Sequence, residues 1–228
     1  MAMNTVVIVG VVIVAILSIT SHEAAHGFAA DRLGDPTARE RGRLTLNPIP
    51  HIDLFFTVLL PLFLIIVGAP FIFGGAKPVP VNPSRLHHPR RDSALVGAAG
   101  PMANVAIGLA LTAVFYTVAG ASGPLGEAMQ RIAVIGIFIN ALLAVFNLIP
   151  IPPLDGSRVV QYFLPSGALA VYRRLEQYGL LILLALLYFA PQLQRPLLAA
   201  VTWLIFAMAS LFGVQSQLAP VLQDALSG

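Results

Sequence analysis

The sequence predicts an all-α polytopic membrane protein with a re-entrant apolar segment and a small interfacial β-element. Two observations carry the class. Hydrophobic residues make up 57% of the 228 residues, charged residues only 10%, and the mean hydropathy is +0.85. A soluble domain carries about 25% charged residues. The apolar residues also come in runs, several near the roughly 20 residues that a bilayer-spanning helix needs. One integral membrane domain over residues 1–228 is expected, with little length left for a soluble one. The chain has no cysteine, which excludes disulfides and thiolate metal sites, so a metal would have to use His, Asp or Glu. The net charge of +3 is small and unevenly placed. It speaks for orientation in a membrane rather than for nucleic-acid binding.

Helix one is expected from about Asn4 to Ala30. Val6 to Thr20 carries no charge and many β-branched residues, which in water would favour a strand. Within lipid the backbone must satisfy its own hydrogen bonds, so the run reads as helix. It lacks a basic leading region and reads as a retained span rather than a cleaved signal. Asp31 to Asp53 is polar and basic, and Arg43 to Asn47 alternates as a short strand does. Leu54 to Phe73 is apolar but broken by Pro61, Gly68 and Pro70. Gly74 to Pro83 is kept extended by its prolines. His87 and His88 read as ordinary loop residues in the second basic loop.

Ser93 to Ala119 is a span rich in small residues, among them Gly97, Gly100 and Gly108. Small residues let membrane helices approach closely, so this span is expected at the centre. Gly120 to Gly126 is a turn, and Ile132 to Ile149 the next span. Tyr178 to Ala190 and Leu197 to Val214 complete the chain as further apolar helices, within a C-terminal region of 177–214.

The chemistry gathers at two places. Ser21-His22-Glu23-Ala24-Ala25-His26-Gly27 ends helix one. Continued as helix, His22 and His26 lie one turn apart on one face, where two imidazoles can hold zinc. Glu23 follows the first histidine and can reach a water on that metal. The plainer alternative is polar residues marking a helix end, but charges at a membrane helix end are costly unless they act. Asp155, behind Pro150, Pro152 and Pro153, is the best candidate for a third ligand. The alternative is a helix cap, which Asp before Gly-Ser-Arg also suits. Asn147 could donate a hydrogen bond into the site or bond between helices. Asn104 has the same two readings. His51 is expected as a loop residue at the interface, with a gate or accessory ligand as the lesser reading.

Three motifs in order resemble the site-2 protease family, the zinc intramembrane proteases of peptidase family M50: H-E-A-A-H, then Gly100-Pro101-Met102-Ala103-Asn104, then Asn147-Leu148-Ile149-Pro150-Ile151-Pro152-Pro153-Leu154-Asp155-Gly156. The resemblance covers residues 18–160. It implies a three-helix catalytic core and one zinc ion held by His22, His26 and Asp155. It further implies Glu23 as catalytic acid/base and Asn147 as a transition-state hydrogen-bond donor; Asn104 itself reads as a contact behind the ligands or to substrate. The implied partner is a transmembrane protein substrate in the lipid bilayer, cut to release a regulatory protein. Two rival classes are a membrane zinc carrier and a relative that binds membrane helices without cutting. A carrier has no need of Glu23, and an inactive relative would have lost it or a ligand.

For Asp155 to share a zinc with His26, both must lie at one membrane face. That requires Leu54 to Phe73 to be re-entrant. One face then collects Arg32, Arg39, Arg41, Arg43, Lys77, Arg85, Arg90, Arg91, Arg158, Arg173 and Arg174, leaving Arg131 and Arg195 near the other. Positive-inside bias turns the site toward the cytoplasm, with the N-terminus outside. Arg43 to Asn47 and Lys77 to Asn82 are expected to offer a sheet edge that holds the substrate extended.

Overall fold

A computed structural model describes residues 5–68, 74–189, 192 and 194–227. The described regular structure is helical: α1 (Thr5–Arg32), α2 (Thr37–Glu40), α3 (Leu60–Ile66), α4 (Pro89–Val118), α5 (Pro124–Asn147), α6 (Gly156–Phe163), α7 (Ser166–Glu176), α8 (Gly179–Phe189), α9 (Gln194–Phe212) and α10 (Gln215–Ser227). Helices α1, α4, α5 and α9 are long and apolar enough to cross a membrane. Their exposed faces carry large apolar side chains, Val9, Ile13 and Leu17 on α1 and Trp203 on α9 among them. Such faces suit lipid rather than water.

Small residues bring these helices together. A Cβ at Gly10 would lie 2.4 Å from Ile132, and one at Gly136 would lie 2.9 Å from Val14. One turn further along, Ser18 meets Asn140. The matching steps of four make α1 and α5 parallel neighbours. Helix α4 runs antiparallel between them: Gly100 faces His22 and His26, and Gly108 faces Met208 of α9. The small-residue span is therefore central, in contact with α1, α5, α6 and α9. At the end away from the histidines, Phe115, Val134, Ile137, Ile205 and Leu218 form the apolar core.

The expected β-element is not formed: there is no strand among the described residues. Around Arg43 to Asn47 short polar side chains capture backbone donors that a ladder would use. Thr45 Oγ1 accepts from Asn47 N–H at 3.0 Å, and Asn47 Oδ1 from Ile49 N–H at 3.1 Å. The second segment is extended, but Pro78 and Pro80 lack donors, and side chains or isolated carbonyls take what remains. Arg43 Nη2 donates to Lys77 O at 2.7 Å, and Lys77 N–H donates to His51 O at 2.8 Å. The two segments meet through a side chain and not through paired strands.

The apolar segment after Asp53 begins with a 6-residue π-helical turn, Leu54–Leu59, followed by the 7-residue α3. Together these rise about 20 Å, short of the roughly 30 Å hydrocarbon layer. Its last residues, 69–73, lie outside the described residues, as do Asn4 and Ala190. Helix α8 also departs from expectation. Gly179 packs on the Pro152 backbone, and Leu183, Leu186 and Gln194 share a cavity with Val145 and Ile149. The chain thus reaches α9 at the same end at which it left α5. Arg195 therefore lies at the site end, not opposite it. Among the described residues Arg131 is the one basic side chain at the far end, paired with Asp224 of α10 at 2.5 Å.

Candidate metal centre

Helix α1 carries His22 and His26 on the face that α4 covers, and both rings are buried. Each ring offers Nε2 to the same point. The two Nε2 atoms are 3.1 Å apart, and Asp155 Oδ2 lies 3.0 Å from the first and 3.2 Å from the second. A tetrahedral ion with bonds of about 2.0–2.1 Å holds its ligand atoms about 3.3 Å apart. The donor set and spacing fit such an ion. Gly100 forms the floor: a Cβ there would stand 2.5 Å from His26 Nε2 and 2.6 Å from His22 Nε2.

The other ring nitrogens are tied. His26 Nδ1 donates to the Val96 carbonyl at 2.7 Å, and His22 Nδ1 donates to Asn104 Oδ1 at 2.6 Å. Such partners fix the tautomer and orientation of a metal-binding imidazole. Asn104 therefore stands behind His22; its amide also bonds across helices, to Asn140 Oδ1 at 2.9 Å.

Asp155 arrives from a turn of three prolines that Gly156 closes. A Cβ at Gly156 would lie 2.2 Å from the Leu148 carbonyl oxygen, so only glycine fits this return. Asp155 precedes α6 but makes no side-chain cap. Its carboxylate faces the imidazoles instead, which removes the cap reading.

Glu23 and Asn147 line the same cavity of about 440 Å³ with His22, His26, Asp155 and residues 74–76 and 78–79. Glu23 Oε2 accepts from Val79 N–H at 2.9 Å. Asn147 spends one amide N–H on the Leu143 carbonyl at 2.9 Å, within its own helix. Residues 74–82 thus form an extended strap across the site. Thr57 Oγ1 donates to Gly75 O at 2.6 Å, and Asp35 Oδ2 accepts from Asn82 N–H at 2.5 Å. His51 is not among the three clustered donors. It is buried beside the strap, donating from Nε2 to Thr45 O at 3.0 Å while its carbonyl accepts from Lys77.

Sequence reasoning missed three parts of this centre. Asn140 and Ser18 lie behind Asn104, and Asn140 could have been found as a polar residue in the middle of an apolar span. Gly100 was visible as a small residue and as the start of the second motif, not as the floor beneath the histidines. The Val96 carbonyl has no side-chain signature at all.

The family profile described as Peptidase family M50 matches residues 121–190, a span that holds Asn147 and Asp155 but not the histidines. The protein named "Putative zinc metalloprotease YwhC" of Bacillus subtilis is 37% identical over 189 residues, 77% of this chain and 78% of that protein. Rip2 of Mycolicibacterium smegmatis, similarly named, is 33% identical over 191 residues, 82% of this chain and 70% of that one. Rip2 of Mycobacterium tuberculosis is 31% identical over 208 residues, 90% and 74% of the two chains. No solved structure matches the chain at a significant level. Spanning more than two thirds of these relatives, this multi-pass membrane chain belongs to peptidase family M50, the site-2 protease family, and is a metalloendopeptidase.

Proposed function

We propose that the chain is a zinc-dependent intramembrane endopeptidase. It hydrolyses a peptide bond in or near a transmembrane segment of another membrane protein, in regulated intramembrane proteolysis. The observation that carries this reading is the convergence of His22, His26 and Asp155 beside Glu23 at the polar end of three membrane helices. The relatives named as zinc metalloproteases support zinc as the ion, one per chain, and residues 1–228 act as one domain. Bound there, zinc supplies a Lewis acid that makes water acidic enough to attack near neutral pH.

The chain's own residues do the rest. Glu23 takes the proton of the attacking water and returns it to the leaving amine, a role worth typically 10²–10⁴-fold. Its Oε2 is engaged by Val79, so the proton is held at Oε1. Asn147 keeps one amide N–H for the oxyanion while Leu143 holds the other. The substrate helix must unwind to be cut, and the extended strap offers backbone against which an unwound segment can lie. Leu54 to Phe73 is re-entrant; the short rise of its described part supports this. Irregular backbone at that depth requires cover by protein or water. Of the 13 Lys and Arg residues, only Arg131 is at the far end, which turns the site toward the cytoplasm and the N-terminus outside.

Glu23→Gln tests the reading. Gln keeps size and a hydrogen bond but cannot accept and return a proton at neutral pH. Purified Glu23→Gln is expected to hold parental zinc and to leave a single-span substrate uncut in liposomes. Full cleavage by this variant would overturn the catalytic assignment.

A further inference from the structure

We propose that Asn140 and Ser18 are positioning residues that hold His22 in the one tautomer able to bind metal, through a one-way chain of hydrogen bonds across three membrane helices. The inference rests on His22 being a ligand, as proposed above. Its direction is set where the chain ends on backbone carbonyls, which can only accept.

Ser18 Oγ donates to the Val14 carbonyl at 2.7 Å, so its lone pairs face Asn140 Nδ2 at 2.8 Å. Asn140 Nδ2 spends its second N–H on the Gly136 carbonyl at 2.9 Å. Both donors are then used, and Asn140 Oδ1 is left to accept from Asn104 Nδ2 at 2.9 Å. The other Asn104 N–H points to the Ser18 carbonyl at 3.4 Å. Asn104 can therefore present only Oδ1 to His22 Nδ1, at 2.6 Å. Nδ1 carries the hydrogen, and the Nε2 lone pair faces Asp155 and His26.

Reversing any one amide sets donor against donor or oxygen against oxygen. The side chains of Ser18, Asn104 and Asn140 are fully buried. At this depth no water replaces a lost partner. The cost of three polar side chains inside apolar spans is thus spent on one outcome, the protonation pattern of a single imidazole. His26 needs no such chain, because a carbonyl faces its Nδ1 directly.

The test uses the full chain in detergent, with two readouts. Ring ¹⁵N shifts of metal-free protein report the His22 tautomer, and chelator competition reports zinc affinity. Whether or not Nε2 takes a proton facing Asp155, the parent is expected to keep a hydrogen on His22 Nδ1. Asn140→Leu is expected to mix the tautomers and weaken zinc by about tenfold, the low end of the 10–100-fold typical for outer partners of a metal ligand. Adding Asn140→Leu to Asn104→Leu is expected to cost nothing further, because the chain passes through Asn104. Ser18→Ala removes one oxygen and keeps a helix former, so it gives the same signature at smaller amplitude if Asn140→Leu fails to fold. Thr112→Val, a buried hydroxyl bonded within α4 and outside the chain, is expected to leave both readouts unchanged. A pure Nδ1–H tautomer with parental zinc affinity in Asn140→Leu and Ser18→Ala overturns the proposal, as does an additive double variant. Parental zinc binding by His22→Ala would instead overturn the ligand reading. The tautomer readout, taken without metal, tells the two failures apart.

Discussion

The cavity has a floor and a roof that are built by different means. The floor is α1, α4 and α5, packed through glycines, with its polar side chains paired inside the bundle. The roof is the strap 74–82, pinned by single bonds at the end where the charged residues gather. A pair broken in the floor finds no substitute within lipid. One broken in the roof is largely replaced by water, leaving a net loss of about 0.5–1.5 kcal/mol for a neutral bond. The floor can therefore fix the geometry of His22 and His26, while the roof can yield to an entering peptide.

Substituting glycines on the two sides gives the largest expected contrast. A side chain at Gly100 collides with both Nε2 atoms, whereas a Cβ at Gly75 meets nothing within 4 Å. Gly100→Val is expected to purify without zinc and without activity. Gly75→Ala should keep full zinc. Elemental analysis decides it, and full zinc in Gly100→Val would remove the floor from the argument.

Asn147, the last residue of α5, lines the cavity between floor and roof. Asn147→Leu is expected to leave zinc unchanged and to lower kcat by about 10²–10³, the usual loss for one oxyanion donor. A change in KM alone would assign Asn147 to substrate binding instead.

The floor was more legible in the sequence than the roof. Periodicity put His22 and His26 on one face, and apolar runs marked the spans. An acid behind three prolines added Asp155, and the family-like order of motifs agreed. The roof misled because its segments look like strands: Arg43 to Asn47 alternates, but Thr45 and Asn47 turn on their own backbone. Alternation reports which side chains could share a face and says nothing of where backbone donors go. Tyr178 to Ala190 misled differently. Its composition suits a span, yet the packing of Gly179 and Leu186 keeps both ends of α8 near the end of α5. Apolar content measures affinity for lipid, not direction through it.

The smallest expected effect lies at the far end of the roof. Buried Asp35 accepts from Thr37 N–H at 3.1 Å and from the Thr37 hydroxyl, and it holds the strap through Asn82 N–H at 2.5 Å. Burial alone would raise its pKa, but these hydrogen bonds outweigh it and hold the carboxyl below its usual range. A carboxyl lowered in the folded state adds stability that is full above the unfolded value of about 3.9. That stability is lost only as pH falls through the lower folded value. The pin is therefore constant from pH 5 to 8. Asp35→Asn places an amide N–H against either Asn82 N–H or the Thr37 donors and breaks the pin at every pH. Hydrogen exchange at Asn82 is expected to quicken by about ten- to a hundredfold, as losing a bond worth roughly 1.5–3 kcal/mol would give. Zinc content should not change, because the floor is untouched. The gap between parent and variant should be the same at pH 5 and pH 7 and should close in acid below the usual carboxyl range. A gap that grows on acidification would mean that Asp35 does not act through its charge, and the strap would then be held by its prolines and by Glu23.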